Sequence, residues 1–139
     1  MLQIEVLDKQ GQSDAARQLL AKQLQAQQDS AYLQHALGLW LLHHGQGEFA
    51  LLGLSRAVEL EPNNAAYRYD LATTLHSEQE LEAAQKQLEE IVQRQPYNRK
   101  ARVLLISYWK ESGQLQNVQV LLAQLEQQNP DDPALQQGL

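Results

Sequence analysis

The sequence predicts an all-α chain, an α-solenoid built from antiparallel helix hairpins. Three observations carry this. The first is self-similarity at one offset, 34 residues: Ser30, Asn64, Asn98 and Asp132 stand 34 apart, and so do Pro62, Pro96 and Pro130. The second is the chemistry of those rungs. Ser, Asn and Asp cap helix N-termini, and each proline stands two residues before a cap, where a helix has to end. The third is composition. The 139 residues include 23 Gln, with Leu and Ala dominating the apolar set and only four Pro and seven Gly. Gln, Leu and Ala are good helix formers, and breakers are too few for a disordered or all-β chain.

Other positions obey the same period. Gly11, Gly45 and Gly113 share a ladder with Gln79. Ala16, Ala50, Ala84 and Val118 form another, Leu20, Leu54, Leu88 and Leu122 a third, and Leu7, Leu41, Leu75 and Trp109 a fourth. Fixed-period self-similarity of this length is the signature of a helical repeat array.

The elements follow in order. Leu2–Gln10 reads as a shortened first helix and Ser13–Gln28 as a second helix, a partial repeat over 1–30. From Ala31 a first helix runs to about His44, Gly45-Gln46-Gly47 makes the turn, and a second helix runs from about Glu48 to Leu60 with Leu51, Leu54 and Val58 on one face. Pro62 forbids continuation and Asn64 restarts a helix by accepting orphan N–H groups of its first turn. The grammar repeats, giving units 31–64, 65–98 and 99–132, with a stub over 133–139. Small residues allow two helices to approach: Gly38 and Ala72 in the first helices, Ala50 and Ala84 in the second, and Ala57 where the next pair docks. In the last unit Ile106, Val118 and Leu125 take their places, which predicts looser or reangled packing.

These residues resemble the tetratricopeptide repeat. The pattern Leu37-Gly38-x-x-Leu41, Gly45, Ala50-x-x-x-Leu54, Ala57, Pro62 recurs as Leu71-Ala72-x-x-Leu75, Ala84, Leu88, Pro96, and as Leu105-Ile106-x-x-Trp109, Gly113, Leu122, Pro130. Gln34, Arg68 and Arg102 stand where the family has an aromatic near the start of the repeat, and Gln28 replaces the first proline. The resemblance covers nearly the whole chain and implies a right-handed superhelix whose first helices line a concave groove. By position, that wall presents Tyr32, His35, Leu39 and His43, then Tyr69, Asp70, Thr73 and His76, then Val103, Ser107 and Lys110. Aromatic, His and hydroxyl groups in such a groove suit adaptable peptide recognition. The function this implies is a non-enzymatic scaffold or adaptor for a protein or peptide segment. Chaperone-binding members hold a C-terminal carboxylate through Lys, Asn and Arg. The matching positions here are His35, Leu39, Asp70, Lys100 and Leu104, of which only Lys100 fits, and Asp70 repels a carboxylate.

Composition excludes further classes. With no Cys there is no disulfide framework, thiolate zinc site, covalent haem attachment or thiol catalysis. A net charge of −6 argues against nucleic acid and anionic membrane partners, which need a basic face. Neither a signal peptide nor a membrane span is read: the longest nearly apolar stretch, Ala36 to Leu42, is far short of the ~20 residues a span requires. No nucleophile–base pair, phosphate loop or paired-acid motif occurs, and Glu78, Glu80 and Glu82 sit together on an exposed turn, so neither catalysis nor a cofactor is expected. His43 and His44 point about 100° apart in a last helical turn, where the dipole favours a donor or cation over a metal. Trp40 and Trp109 are expected in packing, and the many Gln on solvated helix surface.

Arg94, Arg99, Lys100 and Arg102 cluster around the Pro96 turn. They read either as an acidic partner's landing site or as partners of Glu89 and Glu90. Two other functional readings stand beside the adaptor. The array is an accessory domain of a longer protein, an enzyme or an exported redox protein; residues 95–99 are similar to repeat tails that follow multihaem cytochrome domains. It is a secretion-type chaperone, similar in size and acidity. Under any of these readings, apolar ends at Leu2, Val6, Leu7 and Leu135 are expected to be covered by a capping helix over Pro133–Gly138 or by a second copy. A complete chain implies the cytoplasm, and a domain of an exported protein the periplasm.

Overall fold

The computed structural model describes residues 29–136, with helical positions also at Ala15, Gln18, Leu19, Lys22 and Ala26. The expected helix over Leu2–Gln10, the apolar N-terminal residues Leu2, Val6 and Leu7, and the Gly11 rung lie outside the described residues. Within residues 29–136 seven helices follow one another: α1 Ala31–His43, α2 Gly47–Leu60, α3 Ala65–Ser77, α4 Leu81–Arg94, α5 Arg99–Glu111, α6 Leu115–Gln128 and α7 Pro133–Gln136. Among the described residues there is no strand, and no helix is long and apolar enough to cross a membrane.

The first helix of each pair starts at a side-chain cap. Ser30 Oγ accepts from the Leu33 amide at 3.2 Å, Asn64 Oδ1 from Tyr67 at 3.0 Å and Asn98 Oδ1 from Ala101 at 3.0 Å. These three caps satisfy orphan donors at the start of α1, α3 and α5. The first helices end alike. The Gln46, Glu80 and Gln114 amides reach back to the Leu41, Leu75 and Trp109 carbonyls at 2.8, 2.9 and 2.8 Å. The residue before each, Gly45, Gln79 or Gly113, adopts φ of 73°, 66° or 79°. This is the Schellman closure, which needs a left-handed residue and prefers glycine there. Gln79 keeps the geometry without the residue that suits it. The second helices also end alike: Glu61, Gln95 and Asn129 donate to Ala57, Ile91 and Leu125, and each following proline forces the chain out.

The contacts divide the chain into two compact units, 1–67 and 68–139. In the first, α1 and α2 form a hairpin with Leu54, Ala50 and Ala57 wholly buried. Its closeness rests on two glycines. A Cβ on Gly53 would lie 2.6 Å from the Gln34 carbonyl oxygen, and a Cβ on Gly38 2.6 Å from Leu54 Cγ. In the second unit, α4 packs on α5, α5 on α6, and α6 on α7, around Leu88, Ile91, Leu105 and Ile106. Trp40 and Trp109 are both buried.

Two expectations need correcting. Gln34 and Gln85 are buried rather than solvated. Gln85 is tolerated because its amide is satisfied, donating to Ser112 Oγ at 2.9 Å and accepting from Gln114 Nε2 at 2.9 Å. The helix limits also differ slightly: α1 stops at His43, and His44 becomes its cap, with Nδ1 donating to the Trp40 carbonyl at 2.8 Å.

Candidate functional site

In the first unit, Tyr32, His35, Leu39 and His43 fall on one stripe of α1, at the spacing of successive turns. Two of them are large groups left in water: Tyr32 is 64% exposed and Leu39 39%. His35 is not free, because its ring stacks on Tyr67 at 4.4 Å. Burial pushes the Tyr67 hydroxyl above its ordinary range, with Glu61 and then Tyr32 adding to the shift. His43 meets the edge of His44, and His44 stacks on Trp40 at 4.0 Å. The histidine pair therefore completes the helix end. Among the described residues no group of three His, Asp or Glu could hold a metal ion.

In the second unit, Tyr69, Asp70, Thr73 and His76 lie along α3, all half-buried. Val103 and Ser107 on α5 are half-buried too, and Lys110 is exposed. His76 stacks on Tyr108 with centroids 4.1 Å apart and planes 7° from parallel, while its Nε2 meets Glu111 Oε2 at 2.8 Å. Lys100 sits over the Tyr69 ring at 4.2 Å from the centroid. Tyr108 stands outside the expected wall residues, as a repeat-position aromatic. It is the floor on which His76 rests, and its hydroxyl is pushed up to about 12, first by burial and then by Tyr69 and Glu111. The signal for it was present: Trp40, Thr74 and Tyr108 stand 34 apart, so Tyr108 occupies the position of a packed aromatic. Thr73 and Thr74 both turn their hydroxyls back to the Asp70 carbonyl, at 3.0 and 2.9 Å. In this unit His76 is thus held against Tyr108 and Glu111, and Lys100 against Tyr69.

The basic cluster around Pro96 does not survive as a cluster. Arg94 pairs with Glu90 at 3.6 Å one turn back. Arg99 reaches the next repeat's cap residue, with Nε 2.5 Å and Nη2 2.7 Å from the Asp132 carboxylate, which raises the arginine's affinity for its proton. Lys100 covers Tyr69. Arg102 turns inward and is 1% exposed. Of the two expected acids, Glu90 pairs with Arg94. The reason is position: 99, 100 and 102 lie in one helical turn and point three different ways.

Arg102 takes the place of the missing aromatic. Its Nη1 donates to Gln128 Oε1 and its Nη2 to the Pro96 carbonyl. Nε is buried with no partner, and burial lowers the guanidinium's affinity for its proton. At the matching position, Arg68 donates to Gln87 at 2.8 Å. Beside Arg102 a cleft of about 490 Å³ opens between α4, α5 and α6, lined among others by Val92, Pro96, Leu105, Trp109 and Leu121.

Comparison with solved structures identifies the architecture. MamA superposes with a TM-score of 0.74 at 19% identity, covering 91% of this chain and 74% of its own. YrrB, a TPR protein with an unusual peptide-binding site, gives 0.74 at 22% identity, over 97% of this chain and 70% of its own. A tetratricopeptide repeat protein from Parabacteroides merdae gives 0.79 at 13% identity, over 95% of this chain and 53% of its own. The fold is the tetratricopeptide-repeat solenoid. No family model matches the sequence, and neither does a curated protein. The repeat is thus carried by geometry that outlasts sequence likeness, with caps, left-handed turns and prolines at one spacing.

Proposed function

We propose that this chain is a non-enzymatic scaffold that holds a protein or peptide segment against its first helices. Residues of the stripe on α1 (Tyr32, His35, Leu39, His43) make the contacts in the first unit. Residues on α3 and α5 (Tyr69, Asp70, Thr73, His76, Val103, Ser107, Lys110) make them in the second. The observation that supports this most is the exposure of Tyr32 and Leu39 on one stripe of α1, on a hairpin whose α2 also leaves Phe49 and Leu52 in water. Large apolar groups in water on one face gain free energy when a partner covers them. The fold adds to this, since helical-repeat proteins use such surfaces for binding, and YrrB carries a peptide-binding site on the same fold.

The test is selection of random displayed peptides against the full chain. Selected peptides are expected to bind at micromolar affinity and to lose at least tenfold when Tyr32→Ala, Leu39→Ala and Tyr69→Ala are combined, with helicity unchanged. Peptides that bind the triple variant as well as the parent overturn the assignment.

A further inference from the structure

We propose that the cleft between α4, α5 and α6 is a second binding site, which takes a carboxylate carried on an apolar stem. It is separate from the wall. Arg102, Leu105 and Trp109 line it from a face of α5 other than the one bearing Val103, Ser107 and Lys110.

The argument begins with a charge. A buried guanidinium is expected to be paired, because an unpaired buried ion is costly. Arg102 is 1% exposed, yet its two partners are neutral: the Gln128 amide oxygen and the Pro96 carbonyl. Its Nε–H has no acceptor at all. Arg99, three residues earlier, has a carboxylate; Arg102 has a cleft. The volume, about 490 Å³, accommodates a small ligand or one peptide residue with its neighbour. The lining sets the ligand's other half, since Val92, Leu105, Trp109 and Leu121 offer apolar surface beside the cation.

The entry step is a side-chain exchange. Gln128 is exposed and holds Arg102 only through its amide. A carboxylate displaces that amide from Nη1 and replaces a neutral hydrogen bond with a charge-assisted one. Trp109, whose indole N–H is also buried without an acceptor, lines the same cleft and reports on it.

Two sources share this chemistry, a free organic acid and the C-terminus of a peptide. Hexanoate and acetyl-Ala-Leu with a free carboxylate probe them, with hexanol and acetyl-Ala-Leu-amide as neutral counterparts. The readout is the indole N–H signal of each tryptophan in the full chain, assigned with Trp40→Phe. Both acids, or one of them, are expected to move the Trp109 signal saturably at millimolar concentration or below while Trp40 stays still, and the tighter one names the source. Gln124→Glu, at an exposed position on the rim, places a competing carboxylate and is expected to weaken binding at least tenfold without touching the core. Glu89→Gln, which removes a negative charge from the lining, is expected to strengthen it several-fold. An unmoved Trp109 signal with both acids overturns the proposal. So does equal binding of the neutral counterparts, or an unchanged affinity in Gln124→Glu.

Discussion

The hairpin of α1 and α2 and the hairpin of α5 and α6 obey the same repeat and close differently. Both have an asparagine or serine cap, both end the first helix with a left-handed residue, and both have the same hydrogen bonds across the turn. They differ at three positions of the period. Gly38 corresponds to Ile106, Gly53 to Leu121 and Gln34 to Arg102. In the first hairpin there is no room for even a methyl group between the Gly53 Cα and the Gln34 carbonyl. In the last, two large aliphatic side chains stand where the glycines were, and a guanidinium and a cleft fill the added space. Caps and turns therefore set where helices begin and end, while a few interior positions set how far apart they lie.

Several substitutions sharpen that contrast. The largest effect is expected at Leu54, which is wholly buried in the tight hairpin. Leu54→Ala is expected to cost about 4 kcal/mol in urea denaturation, and Leu122→Ala, at the half-buried equivalent, about 2 kcal/mol. Next is Gly53→Ala. In an ordinary helix this change stabilises by up to about 1 kcal/mol, but here the clash with backbone makes it destabilising by about 2 kcal/mol. A neutral or positive result would break the comparison.

The turn residues give a smaller effect of opposite sign. Gln79 holds φ of 66°, so Gln79→Gly is expected to stabilise by about 1 kcal/mol, while Gly113→Ala is expected to destabilise by about the same amount. Nothing lies within 4 Å of an added Cβ at Gly113, so that loss is conformational alone. The smallest effect at neutral pH belongs to Tyr108. Its folded value is raised to about 12 from an ordinary 10, so the protonated form is favoured in the folded chain. That contribution is present in full below pH 10 and is lost as pH rises from 10 towards 12. Tyr108→Phe is expected to flatten the fall in melting temperature over that window without abolishing it, because Tyr67 and Tyr69 are raised too.

The fold was legible because its signals are local. A cap, a left-handed turn and a proline each act within a few residues, so spacing alone exposes them. Even Gln79 was marked, by standing on a ladder of glycines. The stripe on α1 was legible for the same reason, since helical period decides which residues share a face. What could not be read was where long polar side chains go. Arg99 and Arg102 look alike in sequence, yet one spans to Asp132 and the other fills a missing aromatic's place. Charge run and composition point both arginines outward. Arg102 turns inward in a hairpin where buried Ile106 and Leu121 stand at the positions of Gly38 and Gly53. Gln85 misled likewise, because its partners Ser112 and Gln114 lie on the next hairpin.

The most direct test of the contrast is a proton contact. At Gly53 a hydrogen occupies the direction of a Cβ that would lie 3.2 Å from the Gly38 nitrogen. The account predicts a strong nuclear Overhauser cross-peak between a Gly53 α-proton and the Gly38 amide proton, and none between the Leu121 α-proton and the Ile106 amide. Cross-peaks of equal strength in both hairpins would contradict it.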